Sequence, residues 1–228
     1  MGILQSLFTR EGIIELLITI PCVLVALTFH EFAHGYVAMR LGDPTARNFG
    51  RLTLNPLKHL DPIGTICMVL FGFGWAKPVP INTRYFKNPR RGMALSAAAG
   101  PIMNLLLAFV AAFVTEFVVW LAGTTLPQSN AASNVLIMAF RLFYTFHRLN
   151  LALAIFNLIP LPPLDGSRIL FIFLPPKWYF GLMKYERYIM IGFLVLLWTG
   201  IITLPLSWAV SGLSSLMFRL AGAVFGIA

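Results

Sequence analysis

Long apolar segments restrict this chain to folds whose helices cross a membrane. A helix needs about 20 consecutive apolar residues to span the hydrocarbon core of a bilayer. No water is available there to bind backbone polar groups, so a helix, whose backbone hydrogen bonds are internal, is the expected form. Four segments are long enough to cross: residues 12–41, 95–122, 133–160 and 188–210.

The composition agrees with this interpretation. Of the 228 residues, 58% are hydrophobic and only 11% are charged, whereas a soluble domain has about 25% charged residues. We therefore expect an all-α polytopic membrane protein, a helical bundle of about four to six transmembrane segments. Residues 1–228 are predicted to form a single integral membrane domain, with additional C-terminal spans over 183–228. Two apolar segments, 164–174 and 213–228, are shorter than a full span.

The positive charge is distributed unevenly between the loops. The net charge is +9, and the loop after the first segment has eight Lys and Arg against two Asp. The second loop, GTTLPQSNAAS, has no charged residue. Because Lys and Arg accumulate in cytoplasmic loops, we expect the first and third loops in the cytoplasm and the N-terminus outside. This distribution accounts for the charge, so no nucleic-acid partner is expected.

The first loop contains a segment of unusual composition. Residues 65–82 read TICMVLFGFGWAKPVPIN, which is apolar but too short to cross a membrane. Gly72, Gly74, Pro78 and Pro80 disfavour a helix. We therefore predict a small extended or re-entrant element after the first span.

The sequence HEFAH, residues 30–34, lies near the predicted cytoplasmic end of the first apolar segment. His30 and His34 are four residues apart, so a helix places both rings on one face, where they can bind one metal ion. Glu31 is positioned to act as general base for a water molecule at that ion. A carboxylate in a membrane helix costs about 2.5–3.5 kcal/mol on insertion scales, which indicates a function. Imidazole and carboxylate ligands favour zinc.

A catalytic zinc site needs a third protein ligand and an open fourth position. One candidate is His59, in the polar loop LNPLKHLDP. The other is Asp165, in NLIPLPPLDGSRIL, where Pro160, Pro162 and Pro163 end the third segment at the depth of the two histidines. A carboxylate held by rigid prolines is pre-organised for a metal. We favour Asp165 and keep His59 as the alternative.

Together these motifs resemble the site-2 protease family of intramembrane zinc metalloproteases. HEFAH at 30–34 is similar to the family's HExxH, and LDG at 164–166 to its second motif, whose Asp is the third zinc ligand. GPIMN at 100–104 resembles the GPxxN motif, and Asn157 resembles the polar residue that precedes LDG. LNPLKHLDPIGT and GWAKPVPIN are similar to the compact, mostly prokaryotic members without a PDZ or CBS domain.

The resemblance implies hydrolysis of peptide bonds within or next to transmembrane segments, by a catalytic core over residues 12–174. It implies one zinc ion held by His30, His34 and Asp165, with Glu31 as general base. The expected partners are a membrane-spanning peptide or protein substrate and the lipid bilayer, and the oligomeric state is open. The expected location is a prokaryotic cell membrane, with the active site toward the cytoplasm.

Two asparagines in the apolar segments are candidates for substrate binding. A substrate helix must unwind before hydrolysis, and Asn104 and Asn157 could then form hydrogen bonds with its backbone. The alternative is that each amide joins transmembrane helices to one another, as polar residues in membrane bundles do. The sequence does not separate these two interpretations.

A second class of function uses the same ligands. A membrane protein could bind the metal without hydrolysing a substrate, as a metal carrier or as an inactive protease-like chaperone. A carrier lines a path with ionisable residues, whereas those in this chain cluster at one depth and the spans show no repeated halves. An inactive relative would most simply lack Glu31, which is present. Both observations favour the enzyme.

Overall fold

The apolar segments form long α-helices in the computed structural model, which describes residues 9–62, 64, 76–125, 130–175, 177–178, 181 and 184–227. The helices are α1 (Arg10–Arg40), α2 (Thr45–Asn48), α3 (Pro89–Thr124), α4 (Asn130–Asn157), α5 (Asp165–Leu170), α6 (Glu186–Trp198) and α7 (Thr203–Phe225). Short 3-10 helices at Pro56–Lys58 and Thr83–Tyr85 lie between α2 and α3. The described residues contain no strand, and the predicted all-α class is confirmed.

Within the described residues, three helices are long and apolar enough to cross a membrane: α1 with 31 residues, α3 with 36 and α7 with 23. Helix α4 has 28 residues but is less apolar, because it carries Arg141, His147 and Arg148. Side-chain caps define where the first two spans begin. Thr9 accepts a hydrogen bond from Gly12 N, and Asn88 accepts one from Arg91 N. These bonds satisfy backbone donors that have no partner inside the helix.

Helix α3 lies at the centre of the bundle and contacts α1, α4, α5 and α7. Its buried face is lined by small residues, which let neighbouring backbones approach closely. One cluster packs Ala108 and Ala112 of α3 against Leu151 of α4 and against Val210 and Met217 of α7. Large apolar side chains point outward instead, as expected for a protein surrounded by lipid. The central position of α3 brings α1 and α5 together at one end of the bundle.

The predicted fourth span over residues 188–210 is wrong as one continuous helix. Helix α6 ends at Trp198, and α7 begins at Thr203. Between them, Gly200 has φ +80°, a conformation that only glycine adopts without strain. Pro205, which has no N–H to donate, follows in the first turn of α7, where none is needed. The C-terminal segment 213–228 is therefore mostly part of a full-length span and not a short separate element.

The loop before α3 is anchored by polar contacts. Lys77 N donates to His59 O at 2.8 Å, and Arg51 Nη2 donates to Lys77 O at 2.5 Å. Asn82 N donates to Asp43 Oδ2 at 2.7 Å. Residues 76–82, which we call the 76–82 segment, are thus held by residues 43–60, and Lys77 and Val79 favour extended backbone because each precedes a proline. The rest of the predicted re-entrant element, residues 65–75, lies outside the described residues.

Candidate metal centre

His30 and His34 lie one turn apart on the buried face of α1. Their exposed fractions are 5% and 7%, and their Nε2 atoms are 3.0 Å apart. This proximity follows from the helix itself, which places residues four apart on one face. The sequence prediction that both rings point to one position agrees with the arrangement of the side chains.

Asp165 completes the cluster from α5. Its Oδ2 atom lies 3.1 Å from His30 Nε2 and 3.2 Å from His34 Nε2. The chain turns through the proline segment between α4 and α5, and Asp165 is the first residue of α5. Ligand atoms of the three residues lie within 4.8 Å of one another. Residues that are distant in sequence therefore form one buried His–His–Asp group.

Hydrogen bonds on the far side of each ring determine where the ring proton lies. His34 Nδ1 is 2.7 Å from Ser96 O, a carbonyl that can only accept, so Nδ1 donates. His30 Nδ1 is 2.5 Å from Asn104 Oδ1, which also accepts. Each neutral ring then presents a lone pair at Nε2. Both Nε2 atoms are the ones that face Asp165.

This donor set fits a metal cation. Two Nε2 lone pairs and a carboxylate oxygen face one another without a proton between them, so they repel unless a cation lies among them. Two imidazole nitrogens and one carboxylate oxygen are the protein ligands of many catalytic zinc sites.

Glu31 lies beside the first histidine and outside the three-residue cluster. Its side chain is half-buried, and Oε2 accepts a hydrogen bond from Val79 N at 2.9 Å. Val79 belongs to the 76–82 segment, so the loop before α3 sets the position of this carboxylate. A carboxylate next to a metal site can accept and return a proton during hydrolysis.

Sequence comparisons identify the family to which these residues belong. Residues 18–199, most of the chain, match peptidase family M50. The chain belongs to peptidase family M50. The predicted resemblance to site-2 proteases is thereby confirmed, as is the predicted class of enzyme, a metalloprotease with a zinc cofactor.

Several relatives of this M50 chain carry related names. "Putative zinc metalloprotease YwhC" of Bacillus subtilis is 47% identical over 173 residues, which cover 76% of each chain. "Putative zinc metalloprotease Rip2" of Mycobacterium tuberculosis is 31% identical over 76% of this chain and 63% of its own length. "Zinc metalloprotease MJ0392" of Methanocaldococcus jannaschii is 28% identical, and the match covers 34% of its length. No solved structure matches the chain significantly.

Two glycines leave room for the metal centre of this M50 chain. A Cβ atom at Gly100 of α3 would collide with the rings of both His30 and His34. A Cβ atom at Gly166, directly after Asp165, would collide with the backbone carbonyls of Leu158 and Ile159, which directly follow α4. A side chain at either position would therefore displace the candidate ligands.

The predicted substrate-binding residues lie in different surroundings. Asn104 has an exposed fraction of 0% and contacts His30, Ala26 and Asn150, so its complete burial argues against contact with a peptide. Asn157 is half-buried at the end of α4, where its Nδ2 donates to Leu153 O at 3.0 Å. The structure brings Asn104, but not Asn157, into contact with the candidate metal ligand His30.

The alternative third ligand, His59, lies elsewhere. It is 1% exposed, and its Nε2 donates to Thr53 O at 2.8 Å. Its Nδ1 has no hydrogen-bond partner among the described residues. His59 is therefore part of the loop that holds the 76–82 segment, and only Asp165 of the two candidates joins the histidine pair.

Sequence reasoning did not identify Ser96 O, Val79 N or the Asn150 side chain, each of which contacts a predicted site residue. The first two are backbone atoms, which residue identity does not reveal. Asn150 does leave a signal, because an amide inside an apolar helix indicates a buried partner. It also lies seven residues before Asn157, which places both on a similar face of α4.

Proposed function

We propose that this M50 chain hydrolyses peptide bonds within or next to transmembrane segments of membrane protein substrates. The observation that carries the proposal is the His30–His34–Asp165 cluster, buried in a bundle of apolar helices with the Glu31 carboxylate beside it. A soluble peptidase has no need to place such a cluster in a helix long enough to cross a membrane.

The depth of the cluster supports cleavage inside the bilayer. Helix α1 ends at Arg40. With a rise of about 1.5 Å per residue, His34 lies about 9 Å and His30 about 15 Å from that end along the helix axis. The hydrocarbon core is about 30 Å thick, so a site at this depth lies below the membrane surface when α1 spans it. The basic loop that follows Arg40 supports an active site toward the cytoplasm.

Separate residues would bind the metal ion and transfer the proton. His30, His34 and Asp165 would hold the zinc ion, which, when bound, supplies a Lewis acid for the scissile carbonyl and makes water more acidic. Glu31 accepts the proton of the attacking water. The same carboxylate then donates that proton to the leaving nitrogen, so that one residue acts as general base and then as general acid.

We assign one substrate contact to Asn157, whose side chain is partly exposed. Asn157 is half-buried, and its Oδ1 has no hydrogen-bond partner among the described residues. It can accept a hydrogen bond from the N–H of an unwound substrate. An unwound strand needs such partners because water is scarce at this depth.

The test compares wild type with Glu31→Gln in detergent, using a panel of single-span peptides. Zinc content is measured on both samples. Glu15→Gln is the matched control, because Glu15 is exposed on the same helix, four turns before the cluster. We expect wild type and Glu15→Gln to cut within or next to the span, and Glu31→Gln to retain about one zinc without cutting.

Other results would point elsewhere. Zinc bound by all three proteins, with metal transport that survives Glu31→Gln, would contradict proteolysis and favour the non-hydrolytic metal-binding function. Cleavage only of soluble peptides would contradict the intramembrane site. A wild-type protein that holds no zinc after reconstitution would contradict the His30–His34–Asp165 centre itself.

A further inference from the structure

A chain of hydrogen bonds leads from the metal cluster to the middle of α4. His30 Nδ1 contacts Asn104 Oδ1 at 2.5 Å, and Asn104 Nδ2 donates to Asn150 Oδ1 at 2.8 Å. Asn150 Nδ2 then donates to Phe146 O at 2.9 Å. Asn104 and Asn150 both have an exposed fraction of 0%. These hydrogen bonds thus connect α1, α3 and α4 without access to solvent.

Backbone carbonyls set the direction of this chain. Phe146 O can only accept, so Asn150 must turn its amino group toward it and its oxygen toward Asn104. Asn104 then meets two acceptors on one side, Asn150 Oδ1 and Ala26 O, the latter at 3.3 Å. Its two N–H groups satisfy both acceptors. Its oxygen is therefore left to face His30.

The orientation of Asn104 determines the proton position on His30. An oxygen opposite Nδ1 requires a proton on Nδ1, which leaves the lone pair on Nε2 for the metal. A flipped Asn104 amide would present its amino group to Nδ1 and favour the other tautomer, whose Nε2 carries a proton and cannot bind an ion. The flip is opposed by Asn150 at 2.8 Å and, at the longer distance of 3.3 Å, by Ala26 O.

The two metal-binding histidines differ in the group that accepts the hydrogen bond from Nδ1. His34 contacts a backbone carbonyl, Ser96 O, directly, and this acceptor cannot be reversed. His30 instead contacts a side-chain amide, which presents a donor or an acceptor according to its rotation. The correct tautomer of His30 therefore needs an additional residue that prevents the rotation of Asn104, whereas His34 needs none.

We propose that Asn150 is a positioning residue for the metal centre, which acts through Asn104 to keep Nε2 of His30 available to the ion. This inference rests on the proposed zinc site. It assigns Asn104 to the support of a metal ligand and not to the substrate. Partners of this kind typically change metal affinity by about 10- to 100-fold when they are removed.

The competing explanation is that Asn150 only ties the helices together. His147 offers the matched control, because it lies one turn earlier on α4, also has an exposed fraction of 0%, and also joins α4 to α3. Its Nδ1 donates to Ala108 O of α3 at 2.8 Å, and its Nε2 accepts from Ser214 Oγ of α7 at 2.9 Å. No hydrogen bond connects His147 to His30 among the described residues. Loss of either residue weakens packing between helices, but only Asn150 is connected to His30 by hydrogen bonds, through Asn104.

The experiment measures the affinity of the full-length protein in detergent for Zn²⁺, by competition with a chelator. The variants are Asn150→Leu, Asn150→Asp and His147→Leu. A neutral aspartic acid at position 150 keeps an oxygen for Asn104 and an O–H for Phe146 O, so it preserves the chain of hydrogen bonds. We expect the zinc Kd to rise about tenfold or more in Asn150→Leu. It should stay near wild type in Asn150→Asp and His147→Leu.

Each other outcome counts against the inference. An equal rise of the zinc Kd in Asn150→Leu and His147→Leu would assign Asn150 to packing, and so would an unchanged Kd in Asn150→Leu. If the leucine variant does not fold, Asn150→Ser replaces it, because its hydroxyl is too short to reach Asn104 and the side chain adds no bulk. A wild-type Kd too weak for a bound metal would instead contradict the zinc site, and the inference would fall with it.

Discussion

Glu31 Oε2 accepts a hydrogen bond from the backbone N–H of Val79 at 2.9 Å, which joins the proposed general base on α1 to a loop residue 48 positions later. Val79 lies between Pro78 and Pro80, neither of which has an N–H to donate. Between residues 77 and 81, only Lys77, Val79 and Ile81 therefore have an N–H, and Lys77 and Val79 donate theirs to His59 O and Glu31 Oε2. The loop thus supplies the donor that orients the carboxylate of the proposed general base.

The first prediction removes this donor. Val79→Pro eliminates the N–H while keeping an extended backbone, so Glu31 loses its anchor. A hydrogen bond to a charged group contributes about 1.5–3 kcal/mol. Since about 1.4 kcal/mol corresponds to tenfold in rate, we expect kcat to fall roughly 10- to 100-fold. Zinc content should not change, because Glu31 is not a ligand.

Two controls separate this effect from damage to the loop. Ile81→Pro removes the next N–H along the chain, which has no hydrogen-bond partner among the described residues. Val79→Ala keeps the N–H and loses only side-chain packing. Both should retain most of the activity in a peptide cleavage assay. A loss as large in Ile81→Pro as in Val79→Pro would show that the conformation of the loop matters, and not the bond to Glu31.

The second prediction concerns Gly100. A Cβ atom there would overlap the rings of His30 and His34, so Gly100→Ala should displace the ligands and reduce zinc binding by at least roughly tenfold. Gly123→Ala is the matched control, because Gly123 lies on the same helix with open space around it. That change should leave zinc binding intact and stabilise α3 slightly, by up to about 1 kcal/mol. Metal analysis and thermal unfolding test both variants, and intact zinc binding in Gly100→Ala would contradict the close approach of α3.

The third prediction decides the third ligand. Asp165→Ala should lower zinc affinity by more than about a hundredfold, since a catalytic zinc site needs three protein ligands. His59→Asn should keep one zinc per chain, because His59 contacts Thr53 O and lies outside the cluster. Equilibrium dialysis with Zn²⁺ provides the measurement. If His59→Asn loses the metal and Asp165→Ala keeps it, the ligand assignment is wrong.

The fourth prediction concerns the attachment of α7. Ser214 Oγ donates to His147 Nε2 at 2.9 Å, a bond between α7 and α4 that does not touch the metal cluster. Ser214→Ala should lower the free energy of unfolding by about 0.6–1 kcal/mol, the usual range for hydrogen bonds between membrane helices. Zinc affinity should remain that of wild type. Ser215→Ala, at an exposed neighbouring position, should change neither quantity in thermal unfolding or metal titration.

The division of the last apolar segment illustrates a limit of hydropathy. Residues 188–210 are apolar almost throughout, so a search for apolar segments predicts one span there. The chain instead turns after Trp198, where Gly200 takes a positive φ, and the final span is displaced toward the C-terminus. Hydropathy measures the cost of transferring side chains into lipid. It does not register a change in backbone direction, because the turn residues are as apolar as the helices on either side.

The sequence by itself determined the helical membrane class and the pairing of His30 with His34, because both depend on local order: apolar length in one case and the helical repeat in the other. Only the tertiary structure decided what those residues contact. Three contacts each join residues more than 45 positions apart: Asp165 with the two histidines, Asn104 with Asn150, and Val79 with Glu31. Such contacts arise from the packing of α1, α3, α4 and α5 around one another, and no periodicity along a single chain encodes them.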